Sequence, residues 1–200
     1  MVGGLKLITA PTVEPLSILD LRDHLRLPSG GSEDAMLARW LTSARTLVEQ
    51  ATGRALITQT WEYVLDRWPA GGVLEVPLPP LVSVTSITTY TSRHVAATMP
   101  TADYWVDSWN QPGRVALNDG AAWPTDLRAI AGIVIRYQCG YGASGDAVPT
   151  PLRDAILATV AARWRWRGDD DPIQLEALPP GVLAALQAGG YVVMRQDRFA

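Results

Sequence analysis

The sequence predicts an α+β protein: a helical core into which an antiparallel β-sheet is inserted, completed by a C-terminal helix and an extended tail. Three observations predict it. Residues 32–53 and 150–167 carry apolar side chains at three- and four-residue spacing, and residues 57–140 switch to a period of two between Pro- and Gly-rich turns. The connections between the strand-like segments are too short for helical crossovers, which leaves antiparallel pairing. The chain then divides into a helical part of the core (1–56), a β region (57–140), helices that complete the core (141–190) and a tail (191–200).

Ser17 opens the first helix, with Asp20 three residues on as its capping-box partner and Ile18, Leu21 and Leu25 at helical spacing. Pro28-Ser29-Gly30-Gly31 breaks it. Ser32 is expected to cap the second helix, with Glu33 and Asp34 in its first turn and Gly53 as its stop. Leu37, Trp40, Leu41, Ala44, Leu47, Val48 and Ala51 form its apolar stripe, and Arg39, Arg45, Glu49 and Gln50 fall mostly elsewhere on the wheel.

From Ile57 the alternation of Trp61, Tyr63 and Leu65 with Glu62, Val64 and Asp66 predicts a strand, and Pro69-Ala70-Gly71-Gly72 reads as the turn of a hairpin into residues 73–76. Residues 82–91 form a longer strand with Val82, Val84, Ser86 and Thr88 on one face. Residues 104–107, 114–117 and 133–139 bring the set to about six strands. Thr150 and Pro151 open a third helix with Leu152, Ile156, Val160 and Trp164 along one face, and Asp169-Asp170-Asp171-Pro172 ends it. A short helix at residues 181–188 precedes Gly189-Gly190 and the tail.

Composition excludes several classes. Apolar residues make up 48% of the 200 positions and charged residues 18%, which argues against disorder. Seventeen basic against 20 acidic residues leave a net charge of −3, so no global field holds nucleic acid or an anionic bilayer. The single cysteine, Cys139, supplies neither an intrachain disulfide nor a zinc cluster, which fits a reducing compartment. Residues 1–11 lack a signal-peptide core, and no apolar run reaches the ~20 residues that span a bilayer. The expectation is a protein made in the cytoplasm, with no membrane partner, metal or cofactor.

No motif specifies catalysis. Gly140-Tyr141-Gly142-Ala143-Ser144-Gly145 matches G-x-G-x-x-G, but Asp146, Pro149 and Pro151 separate it from the helix start that would meet a pyrophosphate, so it reads as a connector. Asp169, Asp170 and Asp171 point in different directions and lack spaced oxygen ligands. His24 and His94 belong to no paired ligand motif, Cys139 has no histidine partner in sequence, and Asp103 with Asp107 has only its spacing to suggest a hydrolase. The aromatic-basic run Trp164-Arg165-Trp166-Arg167 splits on a helix: Trp164 lies on the core line, and Trp166, roughly 200° away, is expected to be a subunit contact. Eight tryptophans need a core or a partner, and Trp68, Trp105, Trp109 and Trp123 lie beside loops. Exposed indoles leave open a carbohydrate- or ligand-binding module.

The order of short motifs carries a resemblance. Leu7-Ile8-Thr9-Ala10-Pro11, Glu14-Pro15-Leu16-Ser17 and the segment from Val48-Glu49-Gln50 through Thr52-Gly53-Arg54-Ala55-Leu56-Ile57-Thr58-Gln59-Thr60-Trp61 are followed by Pro77-Leu78-Pro79-Pro80-Leu81-Val82-Ser83-Val84. Ala102-Asp103-Tyr104, Pro112-Gly113-Arg114-Val115, Trp123-Pro124, Gly140-Tyr141-Gly142 and Pro151-Leu152 continue the pattern. The chain resembles the head-tail connector, or adaptor, proteins of tailed phages and gene transfer agents. That resemblance implies a noncatalytic structural protein of a virion or phage-like particle, located at the head-tail junction. It implies a ring, dodecameric in symmetry, that binds the portal protein and joins it to stopper or tail-completion proteins around a channel through which DNA passes without sequence-specific binding. Within that frame the tail is expected to bind the portal, with Val193, Met194 and Phe199 as apolar anchors and Arg195 and Arg198 meeting carboxylates.

Overall fold

Two sets of periodic segments bury two separate apolar surfaces, and among the described residues the chain passes between them three times. In a computed structural model, which describes residues 3–28, 30–165 and 177–192, it forms two compact units. One contains the residues up to Pro11 and Thr58–Tyr141. The other contains Thr12–Ile57 and the described part of Gly142–Met194.

The second unit holds four helices: α1 (Ile18–Leu25), α2 (Asp34–Thr52), α3 (Thr150–Arg165) and α4 (Pro180–Ala188). Ser17 caps α1 in a complete capping box: its hydroxyl accepts from the Asp20 N–H at 3.1 Å, and its own N–H donates to the Asp20 carboxylate at 2.7 Å. The Ser17 N–H foremost, and then the Ser17 hydroxyl, which donates to the same carboxylate at 2.7 Å, hold the Asp20 carboxyl below its ordinary range. The second helix starts later than its sequence suggests. Its N-cap position is Glu33, which makes no side-chain capping bond, so Ser32 is not the cap. The buried Arg22 guanidinium organises this loop instead, pairing with Asp34 at 2.7 Å and donating to the carbonyls of Pro28 and Gly31.

Leu37, Leu41, Ala44 and Val48 of α2 are buried, as are Leu152, Ile156 and Val160 of α3, and each of the Leu, Ile and Val side chains stabilises the unit by about 1.5–3 kcal/mol. Trp40 meets Trp164 edge-on at 6.4 Å, so both indoles belong to the α2–α3 contact. Arg45 corrects the helical-wheel expectation. It turns inward, with Nε 2.8 Å from Glu14 and Nη1 2.6 Å from Glu49. Glu49 in turn accepts the Leu56 N–H at 2.9 Å, just past the left-handed Gly53 that ends α2.

The first unit holds eight strands among the described residues: β1 (Gly4–Thr9), β2 (Gln59–Leu65), β3 (Val73–Val76), β4 (Leu81–Tyr90), β5 (Ala96–Thr98), β6 (Tyr104–Asp107), β7 (Gly113–Leu117) and β8 (Ile133–Cys139). They form a five-stranded sheet in the order β1-β2-β8-β4-β5 and a three-stranded sheet in the order β3-β7-β6, with every pairing antiparallel. Sequence reasoning missed β1 and β5, and β1 comes from the segment assigned to the helical part.

The expected hairpin between β2 and β3 does not form. Both edges of β2 are occupied, by β1 and β8, so β3 pairs with β7 in the other sheet. Trp68 fixes the intervening segment elsewhere, stacked on Trp123 at 4.1 Å and donating to the Pro124 carbonyl at 2.9 Å. The face assigned to β4 is also corrected. Leu81, Ile87 and Thr89 are buried and Val82 is exposed, because the register against β8 shifts twice, between Leu81 and Ser83 and between Val84 and Ser86.

Along β8, Ile133, Ile135, Tyr137 and Cys139 face the core and alternate with Arg136, which reaches Glu62 on β2 at 2.6 Å. The small sheet contributes Leu74, Val76, Tyr104 and Val115. The two sheets approach at Gly113, where an added Cβ would lie 2.5 Å from the Leu81 side chain; only glycine leaves that space. Tyr137 is fully buried, and its hydroxyl has no hydrogen-bond partner among the described residues. Burial pushes its phenol far above the ordinary tyrosine range.

Arg45→Ala leaves two carboxylates facing each other at a part-buried site. It is expected to destabilise the helical unit by about 2–4 kcal/mol, whereas Glu62→Gln on the exposed pair costs under about 1 kcal/mol. Urea titrations followed by circular dichroism check both. Tyr137→Phe removes an unpaired buried hydroxyl, so the same titration should show a midpoint equal to or above that of the parent protein.

Candidate interaction surface

In the small sheet the strand pairing separates an inner from an outer face, and the burial of β3 alternates with it. Directly paired residues share a face, so the register Val73↔Ala116↔Trp105 places these three in one row. The next row is Glu75↔Arg114↔Asp107. Leu74, Val76, Val115 and Tyr104 point the other way, into the core. An exposed face thus carries a 60%-exposed indole beside charged neighbours.

Asp107 joins this face to the turn that follows β6. Its Oδ1 accepts the Trp109 N–H at 3.0 Å and the Asn110 N–H at 3.3 Å, and its Oδ2 accepts from the Asn110 amide at 2.6 Å and from Arg114 Nη2 at 2.7 Å. The Arg114 and Asn110 side chains, followed by the two backbone donors, pull its carboxyl down to about 2. A general acid needs the reverse shift, so the hydrolase suggested by Asp103 and Asp107 finds no support here. What the network does is structural: it fixes a turn from which Trp109 projects 94% exposed. Of the four loop-side tryptophans, then, Trp68 and Trp123 stack on each other while Trp105 and Trp109 face solvent. The legible signals were the alternation Tyr104-Trp105-Val106-Asp107 and the Asp two residues before Trp109.

A second exposed surface is β1, an edge strand whose six residues are all exposed, among them Leu5, Leu7 and Ile8. In the helical unit, α3 and α4 enclose an open apolar groove of about 700 Å³ lined by Ala158, Ala162, Val182, Ala185 and Leu186, with His24 and Asp154 at its margin.

The remaining sequence candidates are dispersed. His24 is exposed on α1 and His94 in the turn after β4. Cys139 is buried, its thiol 3.8 Å from the Gln59 carbonyl. Among the described residues no group of three or more His, Cys, Asp or Glu is arranged to hold a metal ion, and no helix is long and apolar enough to cross a membrane. In the glycine-rich connector, an added Cβ at Gly145 would meet the Pro15 carbonyl oxygen at 2.4 Å, so the third glycine serves chain packing. Trp166, the run Asp169 to Asp171 and the tail residues Val193, Met194, Arg195, Arg198 and Phe199 lie outside the described residues.

No protein-family model matches the chain, and no curated protein matches it. Solved structures do. The chain matches one from the neck of an empty gene transfer agent (GTA) particle computed with C6 symmetry, with a TM-score of 0.77, 28% identity and 96% of each chain covered. The likeness is to gene transfer agent particles. A structure of the virion of a native GTA particle gives a TM-score of 0.75 at 28% identity, and the neck of a native GTA particle computed with C12 symmetry gives 0.75 at 26%, each covering 96% of both chains. Such coverage takes in both units. It supports a structural role in a particle of this kind.

The Asp107 network yields a pH dependence of definite sign. Because the folded-state value of about 2 lies below the usual 3.8, the network stabilises the turn fully above about pH 4 and loses that contribution as the pH falls toward 2. Asp107→Asn should therefore speed hydrogen exchange at the Trp109 and Asn110 amides relative to the parent protein at pH 6. The difference should shrink as the pH approaches 2.

Proposed function

We propose that this chain is a noncatalytic adaptor of a gene-transfer-agent-like particle: a ring at the head-tail junction that binds the portal and joins it to stopper or tail-completion proteins around the DNA channel. The observation that carries the reading is the match to a GTA neck chain over 96% of both chains at 28% identity. The absence of a catalytic signature in the sequence agrees in kind. A net charge of −3 suits a wall past which DNA slides, since each phosphate held by a cation would retard it.

In this proposal the tail, through Val193, Met194, Arg195, Arg198 and Phe199, engages the portal, and Trp166 contacts a neighbouring subunit. A ring built on a portal template need not close alone, so the isolated chain is expected to be monomeric or weakly associated by light scattering at micromolar concentration. The exposed indoles favour one alternative, a carbohydrate- or ligand-binding face. A fluorescence titration with oligosaccharides that leaves the tryptophan emission unchanged disposes of it.

The deciding experiment localises a tagged chain in purified particles by class averaging. Density at the portal vertex is expected, and absence from the particle, or density elsewhere, overturns the reading. Truncation after Gly190 is expected to leave the circular dichroism spectrum unchanged and to yield DNA-filled heads without tails. Truncated chain at normal copy number on tailed particles overturns the role of the tail.

A further inference from the structure

Two consecutive glycines after a helix read as a swivel, because glycine is the residue with the most backbone freedom. In this chain Gly189-Gly190 is a fixed corner instead. The Gly190 N–H donates to the Gln187 carbonyl at 3.0 Å and the Tyr191 N–H to the Leu186 carbonyl at 3.0 Å, the two bonds of a Schellman motif at the end of α4. Gly190 supplies the left-handed residue that the motif requires, at φ +72°. Gly189 leaves room for the Tyr191 ring, which lies back over the helix end: a Cβ added at Gly189 would stand 3.1 Å from it.

That ring receives a cation from another part of the helical unit. The Arg54 guanidinium carbon stands 5.6 Å from the Tyr191 ring centroid. Arg54 directly follows the left-handed Gly53 that ends α2, and its N–H donates to the Glu49 carbonyl at 3.2 Å, so the cation stands on ordered backbone. The corner after α4 is thereby tied to the end of α2.

We propose that the Arg54–Tyr191 pair sets the point and direction from which the C-terminal tail leaves the helical unit, which makes Tyr191 a positioning residue for engagement of the portal. The proposal rests on the portal-binding reading of the tail and names the part of the body that aims it. Eight residues follow Val192, and even fully extended such a length spans at most about 26–29 Å. A segment that short reaches only what lies near its tether. Holding the tether in place before binding lowers the conformational freedom lost on docking.

The test titrates the purified full chain onto purified portal rings and reads the apparent dissociation constant, with the melting midpoint of each variant as the check on folding. Tyr191→Leu and Arg54→Gln should each weaken binding by about two- to fivefold, the factor that an exposed cation–π pair supplies. Tyr191→Phe keeps the aromatic face and should bind as the parent does. The double variant Arg54→Gln with Tyr191→Leu should bind no worse than either single one, since both remove the same contact. Hydrogen exchange at the Tyr191 amide should be faster in Arg54→Gln than in the parent. Parental affinity in Tyr191→Leu, a Tyr191→Phe as weak as Tyr191→Leu, additive losses in the double variant, or unchanged exchange overturns the anchor. Truncation after Val192 separates this from the reading beneath it. If that truncation abolishes binding while Tyr191→Leu binds normally, the tail reading stands and the anchor falls; if it binds as the parent does, both fall.

Discussion

One guanidinium gathers the places where the chain enters and leaves the helical unit. Arg45, on α2, pairs with Glu14 close to where the chain arrives from β1 and with Glu49 on its own helix. Glu49 then accepts the Leu56 N–H close to where the chain departs for β2. The third crossing is held nearby in sequence terms, since Gly145 lies against the Pro15 carbonyl, one residue from Glu14. Helix packing on α2 therefore depends on a charge in its midst, because Leu41, Ala44 and Val48 surround the position from which Arg45 reaches out. A hydrophobic residue there would pack, but it would leave Glu14 and Glu49 without their shared cation.

The sheet unit solves a different problem. Its central strand β8 has neighbours on both sides and alternates strictly, whereas β1 at one edge is exposed throughout. Stability and availability for contact are thus assigned to different strands. The small sheet repeats the division within itself: one face fills the core, and the other displays Trp105 beside an ordered turn. Asp107 is the hinge of that division, being spent on the turn and on Arg114.

Much of this was legible in the residues. Strong helical periodicity located α2 and α3, the Ser17–Asp20 spacing located the cap of α1, and β6 and β8 begin and end where their alternation does. What escaped were properties set by partners distant in the chain. β1 is exposed on every residue and is a strand because β2, more than fifty residues away, pairs with it. The choice of β7 over β2 as partner for β3 follows from the occupancy of β2, which no local pattern records. Two register shifts move the buried side of β4 onto Ile87 and Thr89, and a wheel drawn from hydropathy alone sends Arg45 to solvent. For the candidate surface, tryptophan position was visible and tryptophan exposure was not, since Trp68 and Trp105 sit equally close to loops and only one finds a stacking partner.

The interleaving of the two units also fixes an order of events during synthesis. All strands described here have been synthesised once Cys139 is made, before any residue of α3, so the sheets can close ahead of the complete helical unit. The apolar stripe of α2 must wait for α3, roughly a hundred residues downstream, an interval on the order of ten seconds at ordinary elongation rates. During that interval Leu37, Leu41 and Val48 have no α3 to cover them, so the stripe that later anchors the helical unit is made well before its cover.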